Sequence, residues 1–523
     1  MDVLLHHLLR RSADRLADKD ALVHGNERLT YAEVAGRASG LGAGLRRLGV
    51  TPRDRIGIYL EPSVAQVVSI FGISEAGGVF VPVNAMLLAE QVKHIATDCR
   101  MKGLITTASK VAGLSAVIKE IPSLEFVVVV GDGGPFDVEV PVESYAEMTA
   151  TAPAARLGDT AIGRDLAAIL YTSGSTGKPK GVMLSHANVI AGASIVSTYL
   201  GISERERILA ILPFSFDAGM NQLTTAFQQG ATLVLMTFTF AREIVRMLAK
   251  ERVTGLAGVP TLWSLLAQPA SSLAKTPLPD LRYITNTGGA MPQPVLAALR
   301  EALPATKVFL MYGLTEAFRS TYLPPDELDR RPTSMGKAIP DTEILVVNES
   351  GQPCRPGEVG ELVHRGPTVS LGYWGRPDLT AQVLRPHPFI PMELGGDERV
   401  CYSGDLVRMD EDGFLYFIGR RDAMIKSSGF RISATEVEEA IFQSGLVKGA
   451  AVIGLPDPVL GQSIKAFVVP KDGVTVSVPA LLEFCASRLP RYMVPAAADV
   501  LDEIPKTTSG KVDYPALRRR EGV

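Results

Sequence analysis

Short apolar runs recur along most of this chain, and nearly every one of them ends in a loop. RIGIYL (55–60), VFVPV (79–83), GLITT (103–107) and FVVVVG (126–131) come first. LAAIL (166–170), RILAILPF (207–214), TLVLM (232–236), TGLAGVP (254–260), RYITNTGG (282–289) and KVFLMYG (307–313) follow. Helical spacing fills the gaps, as over residues 29–50, where Arg46 and Arg47 stand near the end and Gly49 close to the stop. Runs of this kind are strands buried on both faces. Strands alternating with helices predict an α/β fold with a largely parallel sheet covered on both sides, and ligand sites at the carboxyl ends of its strands.

The rhythm changes from Gly336 to Phe417, where the NESG and DEDG turns predict an antiparallel β subdomain. After Gly419, SATEVEEAIFQSG opens a capped helix, GAAVIGLPD and KAFVVPKDG read as strands, and PALLEFCASRLP as a second helix. This stretch of about one hundred residues has the size of an independent domain, and 523 residues exceed what one core usually serves. A net charge of −3 with dispersed lysine and arginine gives no case for nucleic acid or an anionic membrane as partner. Cys99, Cys354, Cys401 and Cys485 are far apart without CxxC spacing, which argues against a disulfide framework or zinc site and for a cytoplasmic location. Residues 1–16 read as an amphipathic helix rather than a signal peptide. No run approaches the roughly 20 apolar residues of a transmembrane segment.

The most informative loop, YTSGSTGKPKGVMLSH (171–186), follows the LAAIL run. Gly174 and Gly177 permit backbone angles closed to other residues, so successive amides can turn inward together. Thr172, Ser173, Ser175 and Thr176 add hydroxyl donors, and Lys178 and Lys180 add charge. Such a loop suits a polyphosphate. It is not a Walker A loop, because Gly174 and Gly177 are too close together and Pro179 follows Lys178 where Ser or Thr would stand. A plain Gly/Ser turn has a similar composition, so the decision rests on its companions.

Four further segments accompany it: NTGGAMP (286–292), MYGLTEAF (311–318), YSGDL (402–406) and IPKTTSGKVDY (504–514). In this order and at these separations the five resemble the adenylate-forming superfamily of acyl-CoA synthetases, amino-acid adenylation domains and luciferases, from end to end of the chain. The resemblance implies a large N-terminal AMP-binding domain over residues 1–420, of parallel-rich sheets flanked by helices plus a β subdomain. It also implies a small mobile α+β domain over 421–523, with a hinge near Asp422. Thr172, Ser173, Ser175, Thr176 and Lys180 match the loop that holds the ATP phosphates. Gly288, Gly289 and Ala290 match the adenine-side strand end, and Tyr312 the aromatic that packs on adenine. Thr315 would contact the α-phosphate and Glu316 would help to hold Mg²⁺. Asp405 resembles the carboxylate that grips the ribose, Arg420 adds a ribose contact, and Lys511 matches the catalytic lysine.

The implied reaction activates a carboxylic acid as acyl-adenylate with release of pyrophosphate, then passes the acyl group to the thiol of CoA or of a phosphopantetheinyl carrier protein. Bringing a carboxylate to the α-phosphate of ATP unites two anions, so positioning and charge neutralisation dominate. Lys511 would serve the first half-reaction. After rotation about Asp422, residues 426–429 would serve the second. Each residue also has a plainer reading: Asp405 could cap a turn, Glu316 could begin a helix, Tyr312 could be core and Lys511 a solvated lysine. The ordered set outweighs these.

Specificity is carried by PFSFDAGMNQL (213–223). It places Asp217 where amino-acid adenylation domains usually have an aspartate that pairs with the substrate amine. Asn221, Thr261, Thr285, Thr287, Met311, Arg319 and Ser320 match the other pocket positions. The set is polar, unlike the apolar tunnel a long fatty acid needs, and it predicts a small polar or amino acid as substrate. A structural Asp217–Arg319 pair, or Asp217 capping the following helix, is the alternative for that aspartate. Other readings are a medium- or long-chain fatty acyl-CoA synthetase, a luciferase-like oxygenase and an inactive nucleotide-binding regulator. FSFDAGMNQL and MYGLTEAFRSTYLPP also resemble acyl-CoA ligases found with bacterial exosortase systems.

Overall fold

The computed structural model describes residues 2–172, 179–421, 424–427, 430–457, 460–489, 491–507 and 510–523. The chain forms two compact units. Met1–Pro332, Ala338–Glu343 and His364–Cys401 make the first, and Thr333–Lys337, Ile344–Val363 and Tyr402–Val523 the second.

Two sheets organise the first unit. One runs Ala317–Leu323, Lys307–Leu314, Tyr283–Asn286, Gly255–Gly258, Arg207–Ala210, Thr232–Leu235, Asp20–His24, Glu27–Thr30. The other runs Gly372–Tyr373, Lys180–Ser185, Leu166–Thr172, Val79–Pro82, Arg55–Tyr59, Gly103–Thr107, Phe126–Val130, Val142–Ser144. Their central pairs are parallel, as the alternation of strands and helices predicts. Asp20–His24 and Glu27–Thr30 form an antiparallel hairpin at one edge, and two further hairpins depart from the parallel pattern. Leu166–Thr172 pairs antiparallel with Lys180–Ser185, and Lys307–Leu314 with Ala317–Leu323. The reason is length: a parallel return needs a crossover of about a dozen residues or more, and only residues 173–179 and 315–316 connect these strands. Both hairpins carry motif segments.

Helices Leu5–Arg15, Tyr31–Arg47, Val64–Ala76, His186–Leu200 and Asp217–Gln229 share one apolar core with both sheets, with Phe71, Phe80, Phe214 and Phe227 among its largest members. Val64–Ala76 is buried on every side, which accounts for the apolar residues all round it. The N-terminal helix buries Leu5, Leu8 and Leu9, as its amphipathic pattern predicts. His6 and His7 fix it through Asp159, each Nε2 at 2.9 Å from a different carboxylate oxygen. Among the described residues no helix is long and apolar enough to cross a membrane.

In the second unit, the NESG and DEDG turns form as the sequence predicts. Asn348 Oδ1 accepts from the amides of Ser350 and Gln352, and Asp410 Oδ1 from those of Asp412 and Phe414, the asparagine and aspartate replacing a backbone acceptor. Further along, Val447–Asp457 pairs antiparallel with Gly461–Pro470, which also takes Ala497–Val500 in parallel. Val437, Ile441, Val452, Val468 and Leu481 form the core under helices Ala434–Gln443 and Val478–Arg488.

One carboxylate lies inside this core. Glu438 Oε1 accepts from the Tyr514 hydroxyl and the Val452 amide, both at 2.8 Å. Burial pushes its pKa up to about 7, against the pull of those two donors. The folded state therefore binds a proton that the unfolded state has already released above the ordinary carboxylate range. The stability tied to this group is present at low pH and is lost as pH rises through about 7. Glu438→Gln keeps both hydrogen bonds and removes the titration. Its urea midpoint is expected to fall less than that of the parent protein between about pH 5 and pH 8, and equal falls would refute this account.

Candidate functional site

The hairpin expected to carry the phosphate loop is described at its two ends. Thr172 and Lys180 face each other in register across the antiparallel pair. Ser173, Ser175 and Thr176, all expected to touch phosphate, lie outside the described residues. Below the loop, Tyr171 donates to Asp98 Oδ2 at 2.6 Å. Beyond it, Ser185 caps the next helix, accepting from the Asn188 amide at 3.1 Å.

Thr315 and Glu316 are the two residues of a tight turn between Lys307–Leu314 and Ala317–Leu323. Glu316 does not begin a helix. The turn is narrow: a Cβ on Gly313 would lie 2.9 Å from the Arg319 Cα, so no larger residue fits without moving backbone.

Residues 366–374 join these two hairpins. On one side Gly372 and Tyr373 pair antiparallel with Met183 and Val182, and the Trp374 amide donates to the Gly181 carbonyl at 2.8 Å. On the other, the Ser370 amide donates to the Glu316 carbonyl at 2.9 Å and the Phe318 amide to that of Thr368 at 3.1 Å. Asn188 Nδ2 ties the helix start to the same segment, donating to the carbonyls of Pro367 at 2.7 Å and Val369 at 2.8 Å. The Tyr373 hydroxyl completes the link, donating to Glu316 Oε1 at 2.6 Å, while the Lys180 ammonium stands 5.8 Å from the Tyr373 ring centre. Lys180 and Glu316 thus meet the same tyrosine. Glu316 Oε2 accepts no hydrogen bond among the described residues, and a free carboxylate oxygen is the hard donor that Mg²⁺ takes. The residues fit that ion.

Gly288, Gly289 and Ala290 form an exposed turn after strand Tyr283–Asn286. Asn286 braces it, Nδ2 donating to the Gly289 carbonyl at 2.8 Å. Tyr312 sits in register with Thr321 on the other strand of the same hairpin.

The substrate positions divide. Thr285, Thr287, Met311, Asn221 and Arg319 are buried, and Thr261 is exposed in the first turn of Pro260–Leu266. Ser320 is fully buried and its hydroxyl lies 2.9 Å from His364 Nδ1. That histidine also meets Thr368 Oγ1 through Nε2 at 3.0 Å, and burial holds its pKa down to about 3. His186, whose Nδ1 accepts from the Leu5 amide at 3.1 Å, is held down to about 4 by the same cause. Both are neutral members of the interior. Asp217 is the first residue of Asp217–Gln229, but Phe216 occupies the cap position and no side chain caps there. No hydrogen bond or ion pair joins Asp217 to Arg319 or to any other described residue. Neither structural alternative for this aspartate is realised.

In the second unit, Asp405 and Arg420 face each other across Arg399–Met409 and Leu415–Arg420, with Nη1 3.2 Å from Oδ1. Glu361 was not foreseen. Buried beside YSGD, it accepts from the Gly404 amide at 3.0 Å and from Arg421 Nη1 at 2.6 Å. Gly404 adopts φ +72°, a conformation natural to glycine, and Glu361 holds it there. Lys511 is exposed in a turn closed by its carbonyl, which accepts from the Thr507 amide at 2.7 Å. Asp422 lies outside the described residues.

Tyr373 and Glu361 escape sequence reasoning because each acts on a partner more than 40 positions away. The one local trace is the glycine before Tyr373. Gly372 has φ +107°, and a Cβ there would meet Thr380 Cγ2 at 2.4 Å. Gly372→Ala is expected to destabilise the protein by about 2–4 kcal/mol, read as a lowered denaturation midpoint; an unchanged midpoint would show that the 366–374 segment is not held as described.

The AMP-binding enzyme family matches residues 9–374, and the AMP-binding enzyme C-terminal domain matches residues 436–511. Feruloyl-CoA synthase of an Amycolatopsis species is 35% identical over 515 residues, 96% of this chain and 96% of its own length. A linear gramicidin synthase polypeptide of Brevibacillus parabrevis is 31% identical over 516 residues, 98% of this chain but 10% of that protein, so the chain spans a tenth of this relative. Among solved structures, the anthranilate CoA ligase AuaEII in complex with anthranoyl-AMP matches with TM-score 0.90 at 26% identity, covering 99% of this chain and 97% of that one. O-succinylbenzoate CoA synthetase MenE from Bacillus subtilis, in complex with ATP and magnesium ion, matches with TM-score 0.83 at 26% identity over 98% and 99%. The motif segments therefore sit on a fold shared along the whole length, and the chain belongs to the AMP-binding enzymes, the adenylate-forming superfamily of acyl-CoA synthetases and adenylation enzymes.

Proposed function

We propose that this chain is an ATP-dependent, AMP-forming acid–thiol ligase, which activates a small polar or amino acid as acyl-adenylate and transfers it to CoA or to a phosphopantetheinyl carrier protein. The observation that carries the reading is the junction built by residues 366–374, which holds the base of the phosphate loop and the Thr315–Glu316 turn on one tyrosine. In this reading Thr172, Ser173, Ser175, Thr176 and Lys180 hold the ATP phosphates, and Thr315 contacts the α-phosphate. Gly288, Gly289, Ala290 and Tyr312 receive adenine, while Asp405 and Arg420 hold the ribose. Glu316 would hold Mg²⁺, which when bound would supply positive charge against the pyrophosphate group. Tyr373 orients that carboxylate, and Lys511 neutralises charge as the acid oxygen displaces pyrophosphate from the α-phosphorus.

The division into domains 1–420 and 421–523, alternating about Asp422, belongs to the same proposal. Asp217 supports an amine-bearing acid, because its carboxylate stands without a partner among the described residues and a half-buried carboxylate favours a cation there. ATP–pyrophosphate exchange across fatty, aromatic and amino acids, followed by transfer to CoA or a carrier protein, tests the reading; strong exchange with long-chain fatty acids alone would refute the polar substrate. Lys511→Ala is expected to abolish exchange yet spare thioester formation from supplied acyl-adenylate, and equal loss of both would remove its assigned role. Tyr373→Phe is expected to raise the Mg²⁺ concentration for half-maximal exchange by about 10-fold or more, whereas an unchanged Mg²⁺ dependence would show that the hydroxyl does not orient the metal ligand.

A further inference from the structure

Arg319 carries a charge that the described protein does not neutralise. Its residue is 4% exposed. Its guanidinium makes one hydrogen bond among the described residues, Nη1 donating to Thr287 Oγ1 at 3.3 Å, and Nε has no partner. No described carboxylate pairs with it. Its backbone stands at φ +91°, which a side-chain-bearing residue adopts only against strain. A buried, unpaired arginine on a strained backbone is unfavourable on each of these counts, and an apolar residue of similar length would fill the same space. Packing alone gives no reason for it.

Two further buried groups of the same unit share the imbalance. Asn221, on helix Asp217–Gln229, is 3% exposed and its Nδ2 has no partner. It reaches the glycine against which Phe318, next to Arg319, also packs: a Cβ on Gly192 would meet Phe318 Cδ1 at 2.4 Å and Asn221 Nδ2 at 3.6 Å. The Tyr199 hydroxyl is buried without a partner as well, and burial raises its pKa against an opposing pull from Arg319. Each of these groups is a donor left over after the protein's own acceptors are used. Their complement is an anion, and a guanidinium fork matches a carboxylate in geometry as well as charge.

We propose that Arg319, assisted by Asn221, binds a second carboxylate of the acid this enzyme activates, so that its substrates are dicarboxylic acids or acidic amino acids. The inference rests on the acid-activation reading above and narrows it. A monocarboxylic acid would leave the arginine buried without a counter-charge, and a site built for a polar group rejects analogues that lack it.

The test compares matched pairs: succinate with butyrate, glutarate with pentanoate, aspartate with asparagine and glutamate with glutamine. Binding to the protein with AMP present is followed by titration calorimetry, and turnover by ATP–pyrophosphate exchange. At least one dicarboxylate is expected to exceed its partner by about 100-fold in kcat/KM, with tighter binding. Arg319→Met is expected to reduce that advantage to within about threefold, while Arg319→Lys retains part of it. The melting temperature of Arg319→Met without acid is expected to match or exceed that of the parent, since an unpaired buried charge is gone. Should Arg319→Met not fold, Arg319→Lys and Asn221→Leu carry the comparison, each expected to weaken the preference. Equal or better use of the monocarboxylates, a preference that survives these substitutions, or no binding and no exchange with any dicarboxylate overturns the proposal. A dicarboxylate that binds through Arg319 without exchange would sink acid activation alone, and exchange confined to monocarboxylates would sink the second-carboxylate site alone.

Discussion

The position of Glu316 depends on strand pairing made far from it in sequence. Its carbonyl accepts from Ser370 and its carboxylate from Tyr373, and both donors lie on a segment whose next backbone bonds go to the phosphate-loop hairpin. A short ladder therefore fixes the separation between the Glu316 carboxylate, proposed to hold a metal, and the base of the hairpin proposed to hold phosphate. Each such hydrogen bond contributes only about 1 kcal/mol net. Their importance is geometric: a site that works by electrostatic neutralisation needs its charges in place before the reaction begins. Tyr373 is buried, and its neighbour Gly372 packs so close to Thr380 that no side chain fits there.

Paired and unpaired charges are used differently. Glu361 is spent on the Gly404 amide and Arg421, and it holds the YSGD backbone. Arg10 likewise joins Glu75 and Asp159 beneath the N-terminal helix. These pairs keep backbone in place. Asp217 and Arg319 stand apart from such partners and from one another. Two opposite charges kept apart in one fold are poorly explained by stability, because pairing would be the easier way to bury them. Under the proposed function they would meet opposite charges on a polar ligand.

Much of this was legible in the chain. The parallel strands, the NESG and DEDG turns and the N-terminal helix follow from apolar period and turn chemistry, and the ordered motifs identify the superfamily. What stayed hidden depends on register. Residues 315–316 carry no sign of whether TE opens a helix or turns a hairpin; the length of the connection and the antiparallel return decide it. Tyr373 and Glu361 look like ordinary strand residues until their partners arrive from other segments. Glu438 and Tyr514, 76 positions apart, gave no local signal either. Asp217 was open between helix cap, ion pair and ligand, and only coordinates distinguish a cap at Phe216 from one at Asp217.

The late position of residues 366–374 also has a meaning for synthesis. Every buried member of the shared core except Tyr373 precedes residue 323, and Gly372–Tyr373 joins the sheet from some fifty residues further on. In a nascent chain most residues of the hydrophobic interior therefore emerge first, and the clasp on Glu316 can form only after that later stretch has left the ribosome. Until then the outer edge of Lys180–Ser185 presents unpaired backbone, a template for strands of other chains. Assembly of the catalytic geometry and protection of that edge are one event.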